Sequence, residues 1–394
     1  MAELETYYKL STYLLSMLGL WPYHSVKLRR FQTGLISVAA WYAMFAMLMV
    51  FKTAKFTGSL LLKNLSPIIM YTGSLLKYNV FWYQADTIKG FMDRVRCDWD
   101  TNHNEIHKIL EKHACIGKQY ATLYAMSVYP SAIVVSVFYF ASFIVITDVP
   151  LNETRKDYFP IESEYLIDEE KYFYFLVFHK HLSLFYCASV FIATETVYFM
   201  WLQHAAGLFE ITGYYIEEAV SVGCEWPSVS QDYLDRNSTR CLVSAVVAHK
   251  KATKFAQDLR VKFEASYAIL FVLGILSLSI NFYRLSQAVF LTHDLEEFVM
   301  SLLFSISELV YMFYVNYLIQ QMLDAANNLS IIIYNTNWYE LSVAIQKLLL
   351  IIMIRCNEPF IFSFSCFFSA SIEGFSTLLK NTVSYFMMMS SFET

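Results

Sequence analysis

Few residues in this 394-residue chain have types and spacings suited to chemistry. His103 and His107 lie four apart with Glu105 between them. That spacing puts two imidazoles on one helix face, where they would suit a zinc ion. No further ligand stands at a workable spacing, so the pair reads as a solvated helix face. His179, Lys180 and His181 lie inside a long apolar run that Glu195 also interrupts, and Lys77 and Glu308 interrupt others. Ionisable groups in such runs are costly and normally face a cavity or a partner. Lys180 has two readings, snorkelling toward the end of its run or lining a polar cavity. The chain has no glycine-rich phosphate loop, no GxSxG and no HExxH, so neither an enzyme nor a cofactor is expected. The seven cysteines read as small buried hydrophobes.

The elements that hold these groups are set by composition. Hydrophobic residues make up 57%, aromatic residues 18% and charged residues only 16%, against roughly 25% charged in a soluble domain. Glycine (11) and proline (7) are scarce, which excludes collagen-like and disordered architectures. The net charge of -5 gives no reason to expect a nucleic-acid partner. A membrane protein follows.

Seven windows are long and apolar enough to cross a bilayer, which takes about 20 helical residues. They run from Phe31 to Phe51, Leu65 to Tyr83, Gln119 to Thr147, Tyr172 to Trp201, Ala265 to Phe290, Phe298 to Leu323 and Pro359 to Met389. All are apolar around the whole helix, whereas barrel strands would alternate. The first residues show no secretory signal, and Leu10 to Leu20 is too short to span, so an interfacial helix stopping near Trp21-Pro22 is expected.

Basic residues give the orientation. They concentrate about threefold on one side, in 1–30, 85–118, 203–262 and 324–356, which places the N-terminus in the cytoplasm and the C-terminus outside. Asn152-Glu153-Thr154, a glycosylation sequon in the acidic loop 148–171, then falls outside. Asn64, Asn237 and Asn328 head further triplets, and use of Asn237 would argue for the reverse orientation. The cytoplasmic stretches carry apolar residues at spacings of three and four among charges, the pattern of amphipathic helices that pack as a bundle below the membrane.

The fold class is therefore an all-α membrane protein with seven transmembrane helices and a cytoplasmic helical bundle. It divides into a cytoplasmic segment with a short interfacial helix (1–30) and six spans with cytoplasmic extensions at about 85–118 and 203–262 (31–323). A cytoplasmic helix for subunit association (324–356) and a final helix with a short outer tail (357–394) follow.

Two short signatures bear on function. Gly19-Leu20-Trp21-Pro22 resembles the G-L-W-P element that precedes the first span in insect odorant receptors. Phe375-Ser376-Thr377-Leu378-Leu379-Lys380 followed by Ser384-Tyr385-Phe386 resembles the last-helix pattern of the same family. The related gustatory receptors end in T-Y, five residues, then Q-F; here Ser391 stands where the glutamine would be, which favours the odorant branch. The family's shared co-receptor subunit is longer, so this chain resembles a ligand-tuning subunit. A gustatory-type channel is the alternative. A G-protein-coupled receptor, which lacks support from D-R-Y, N-P-x-x-Y or outer-loop cysteines, and a transporter, which lacks an internal repeat, rank below it.

The resemblance implies an odour-gated, non-selective cation channel at the plasma membrane of a sensory dendrite, assembled with co-receptor subunits as a hetero-oligomer, expected to be a tetramer. It implies a pocket for small volatile apolar ligands in the outer half of the bundle. Residues expected there are Tyr71 and Ser74, Tyr139 and Phe143, Phe175, His179 and Leu182, and Phe304, Ser307 and Tyr311. His179 and Tyr311 would each supply one directional hydrogen bond. It also implies a pore lined by the final helix, with Ser384, Tyr385, Met387, Met388 and Met389 near a hydrophobic constriction that gates by dewetting. The methionines alternatively only pack against lipid or neighbouring helices.

Overall fold

The computed structural model describes residues 2–391 apart from 56, 149–162, 169–170, 224–230, 359 and 365–368; side chains at 2–3, 59, 139–148, 173 and 231 are also outside the description. Ten α-helices account for most of the described chain: α1 (Ala2–Met17), α2 (Val26–Thr53), α3 (Gly58–Tyr83), α4 (Ala85–Trp99), α5 (Asn104–Asp148), α6 (Phe173–Gly223), α7 (Gln231–Gln287), α8 (Leu295–Asn335), α9 (Val343–Cys356) and α10 (Ile372–Ser391). Five stretches are long and apolar enough to cross a membrane: Val26–Thr53, Asn104–Phe138, Tyr174–Gly223, Asp232–Thr292 and Leu295–Asn335. The helices α3 and α10 fall outside that set. Polar residues lower the hydropathy of both: Lys63, Asn64 and Lys77 in α3, and Glu373, Lys380 and Asn381 in α10.

The helix α6 is the central post. Val190, Ile192, Ala193, Val197, Trp201 and Leu202 along its middle are completely buried, because α3, α5, α7, α8 and α1 pack around it. By contrast, α2 presents Phe31, Leu35, Val38, Trp41, Phe45 and Leu48 outward. Their spacing of three and four makes one continuous apolar stripe, the face a helix turns to lipid.

Three details differ from the sequence expectation. The N-terminal helix begins at Ala2 and docks into the bundle, with Leu15 fully buried and the Ser11 hydroxyl donating to Thr196 Oγ1 at 2.9 Å. Its expected interfacial face is therefore a packing face. The amphipathic stretch 85–118 is two helices broken at 100–103. The last helix starts at Ile372 instead of near Pro359; Phe362 and Phe364 are buried, and the Ala370 amide closes back on the Phe362 carbonyl at 2.9 Å. Serines and phenylalanines made this segment look like a span, but Phe364 stacks on Tyr267 at 4.9 Å and packs against Phe362 and Phe271, so these rings serve the core of the bundle.

The Gly19-Leu20-Trp21-Pro22 element has a local mechanical role. Gly19 adopts φ +69°, the left-handed conformation that ends a helix most cheaply at glycine. The Leu20 amide donates to the Leu15 carbonyl at 2.8 Å and the Gly19 amide to Ser16 at 3.2 Å, the paired bonds of a Schellman cap. Leu20 is then buried, and Pro22 prevents the helix from resuming.

The extensions of α4–α7 below the spans are joined by a polar layer. Glu210 accepts from Lys112 at 2.8 Å and lies 2.8 Å from His113 Nε2. The His113 hydrogen bond, aided by Lys112 against the cost of burial, pulls its carboxyl down to about 2. Asp98 is paired with His204 at 3.0 Å and with Lys251. Burial opposes its ionisation, yet these two partners hold its carboxyl below the ordinary range. Charged groups placed this way fix helix register where apolar packing alone is permissive.

Candidate functional site

A cavity enclosing about 850 Å³ of atom-free space, counted out to its mouth, opens between α3, α5, α6, α7 and α8. The helices turn regular stripes toward it. From α8 come Leu303, Phe304, Ser307, Glu308, Tyr311 and Met312; from α6, Leu184, Cys187, Ala188 and Phe191. These spacings of one, three and four keep a single helical face on the cavity. Tyr124, Val128, Ser131, Ala132 and Val135 line it from α5, Ile69, Met70 and Gly73 from α3, and Leu270, Leu273 and Gly274 from α7. The glycines make room: a Cβ on Gly274 would lie 2.2 Å from Met312 Cε, and one on Gly73 would lie 3.3 Å from Phe191.

The lining is apolar with few polar groups. Ser307 donates to Ser131 across the α5–α8 contact at 3.2 Å. Glu308 is buried, accepts from the Asn281 amide at 3.3 Å and forms no ion pair among the described residues. A second, smaller space of about 590 Å³ adjoins the first. The two share Met70, Leu184, Cys187 and Phe304, and Tyr71, Tyr165 and Lys180 complete the second. Lys180 thus stands at a cavity wall.

Beside the main cavity lies the most polar cluster inside the spans. Lys77 of α3 and Glu195 of α6 form an ion pair with side chains 4% and 0% exposed. Tyr267 of α7 donates its hydroxyl to Glu195 at 2.9 Å. The Lys77 ammonium lies 4.5 Å from the Tyr267 ring centre, 5.7 Å from that of Tyr311 and 6.0 Å from that of Phe191. Aromatic faces at that range stabilise a cation. Tyr311 and Phe191 also line the cavity, so four helices meet at one charge pair that shares walls with it.

The candidate pocket residues fall into distinct places. Phe304, Ser307 and Tyr311 line the main cavity, and Tyr71 and Phe304 line the second. Ser74 is buried but donates to the Tyr71 carbonyl of its own helix at 2.7 Å. His179 is hydrogen-bonded to the Tyr165 hydroxyl at 3.0 Å and packs edge-on against Tyr42. Phe175 and Leu182 are 56% and 50% exposed. At 3.6 residues per turn Leu182 stands about 140° around α6 from Cys187, so the two cannot face the same space. The side chains of Tyr139 and Phe143, and Asn152 altogether, lie outside the described residues. The main residues that sequence reasoning missed are Lys77 and Glu195 as a pair, and Glu308 as a cavity wall; unlike charges in separate apolar runs were the available signal.

On α10, Gly374, Leu378 and Thr382 form the buried stripe, and the Ser279 hydroxyl donates to the Thr382 carbonyl at 3.2 Å. Ser384, Tyr385, Met387 and Met388 are exposed, and Met389 is partly buried. The histidines with zinc spacing are separated by aromatic packing, His103 against Tyr214 at 5.6 Å and His107 against Trp99 at 5.2 Å.

A family model described as 7tm Odorant receptor matches residues 57–383. Odorant receptor 9a of Drosophila melanogaster is 40% identical over 70 residues, a match spanning 18% of this chain and 17% of that receptor's length. Among solved structures, the insect olfactory receptor OR5 from Machilis hrabei in complex with eugenol superposes with a TM-score of 0.82 at 12% identity, covering 98% of each chain. A second structure of that receptor gives 0.78 at the same identity and coverage. At this identity the likeness is one of fold.

Proposed function

Because this chain belongs to the family of 7tm odorant receptors, we propose that it binds a small, mostly apolar ligand in the cavity between α3, α5, α6, α7 and α8 and, with co-receptor subunits, gates a non-selective cation channel. The observation that carries this is the cavity itself: a space of small-molecule size inside the membrane-embedded bundle, walled by aliphatic and aromatic side chains with a few polar groups. The similar OR5 fold has been solved with eugenol, a small aromatic molecule.

A ligand that buries on the order of 250 Å² of apolar surface gains roughly 6 kcal/mol, reduced by the cost of lost freedom on association. Affinity is then modest, and selection is chiefly by shape. Opening requires that the ligand bind the open arrangement better than the closed one. The Tyr311 and Phe191 contacts to Lys77 are the element that would feel ligand arrival, since the same rings touch both. The face of α10 that stays exposed in one chain, from Ser384 to Met388, is the face that neighbouring subunits and the pore would use. In this reading the N-terminus lies in the cytoplasm, the acidic loop 148–171 outside, and the receptor in the plasma membrane of a sensory dendrite.

Filling the cavity tests the site. Ala132 is 5% exposed and lines it, so Ala132→Phe puts a phenyl ring into the space the ligand needs. Ligand-evoked current should disappear while surface abundance is kept. Undiminished responses to every ligand of the unsubstituted receptor would place the site elsewhere.

A further inference from the structure

Glu308 is the feature of the cavity that an apolar ligand does not explain. Its side chain lines the space yet is only 7% exposed. An ionised carboxylate offers about four acceptor positions, and here the side-chain donors beside it are both neutral, Asn281 Nδ2 at 3.3 Å and the Ser277 hydroxyl. Asn281 is itself fully buried, and its Oδ1 has no hydrogen-bond partner among the described residues. Neither donor carries a charge, and among the described residues no lysine, arginine or histidine pairs with Glu308. The other buried carboxylate of the spans, Glu195, does have its cation in Lys77. The contrast matters, because a buried carboxyl normally brings a cation or a donor with it. Aromatic walls stand nearby, with Phe191, Phe304, Tyr311 and Tyr124 all lining the same space. Aromatic faces beside a carboxylate are the chemistry that holds an alkylammonium.

We infer that the cavity recognises small amines, with Glu308 as the anchor for the ligand nitrogen and the aromatic and aliphatic walls as the seat of its apolar body. This rests on the reading of the cavity as the ligand site and names the ligand class. The bound pair carries no net charge: an ammonium meets a carboxylate, or a free amine meets a carboxylic acid with the same single proton between them. In either case the ligand supplies the basic nitrogen that the described residues lack at this point. A neutral ester or hydrocarbon of equal size fills the space but leaves the carboxyl as it was.

The test uses three ligands of one skeleton, 2-phenylethylamine, 2-phenylethanol and propylbenzene. Each is applied to the full chain in two ways, as current in cells co-expressing a co-receptor and as ligand-induced stabilisation of the purified chain in micelles. The amine should act at the lowest concentration. Glu308→Gln keeps the shape and removes the charge; it should weaken the amine about tenfold or more while moving the other two less than about threefold. Glu308→Asp, which keeps the charge, should fall between, and the unliganded melting temperatures establish that each variant is folded. The inference is overturned if the amine is no better than the alcohol, or if Glu308→Gln shifts all three ligands equally. Propylbenzene binding without amine preference removes only the amine inference. Failure of all three ligands to bind the purified wild-type chain removes both that inference and the ligand-cavity reading.

Discussion

Removing one member of the Lys77–Glu195 pair should destabilise the receptor far more than removing both. The side chains are 4% and 0% exposed, so Lys77→Met strands a carboxylate, and Glu195→Leu strands an ammonium, among aromatic rings. Breaking a buried pair from one side costs about 3–5 kcal/mol. With an unfolding entropy of about 2.1 cal/mol/K per residue, a chain of this length that melts as a unit shifts roughly 1 °C per kcal/mol. Each single variant should therefore melt about 4–6 °C lower in detergent micelles, followed by intrinsic fluorescence. The double variant Lys77→Met/Glu195→Leu leaves no buried charge. It loses mainly the acceptor of the Tyr267 hydroxyl, a cost of about 1–3 kcal/mol, so its melting point should lie above that of either single variant. The same double variant should alter ligand-evoked current, because Tyr311 and Phe191 lose the ammonium against which they pack. Additive shifts in the double variant, or single variants within 1 °C of wild type, would refute the claim that these residues act as one pair.

Three further outcomes follow from named contacts. Gly19→Ala must hold an alanine at φ +69° with its Cβ 2.8 Å from Gln32 Cβ; a cost of about 1–2 kcal/mol should appear as lower surface expression, and a wild-type level would remove the cap from the account. Glu210 has its carboxyl depressed to about 2 from an ordinary 4.5, so its stabilisation is complete above about 4.5 and lost as pH falls toward 2. Glu210→Gln should accordingly melt lower than wild type at pH 7 and converge with it in acid, whereas a constant difference at all pH values would contradict this. Met388→Ala on the exposed face of α10 should change basal current or ion selectivity; unchanged currents for substitutions at every position from Tyr385 to Met389 would assign these side chains to packing.

Much of the architecture was legible because a bilayer imposes a length and an apolar surface that sequence displays directly. The window from Phe31 to Phe51 became a helix from Val26 to Thr53, and the amphipathic stretches became the lower bundle. The last helix was misplaced at its start since an apolar, serine-rich segment reads the same whether it crosses a membrane or folds back into the bundle core, as Phe364 does against Tyr267. Of the positions that the family resemblance suggested, Phe304, Ser307 and Tyr311 share one face of α8 that turns to the cavity, and Tyr71 stands at the adjoining space. The bond of His179 to Tyr165 could not be read from sequence, because it depends on how the segment at 163–168 folds against the bundle. Lys77 and Glu195 could be recognised singly as anomalies, but 118 residues separate them and only packing reveals that they meet. The family match decides for the odorant branch over the gustatory alternative, as the residues near Ser384-Tyr385 suggested.

The proposed function makes this chain part of a ligand-gated cation channel. Its most direct test is to record ligand-evoked current from cells expressing the chain with and without an insect co-receptor while G-protein signalling is blocked. The account predicts cation current that requires both subunits and persists under the block. Current that vanishes with the block, or an absence of ligand-evoked current with the co-receptor present and both chains at the surface, would contradict it.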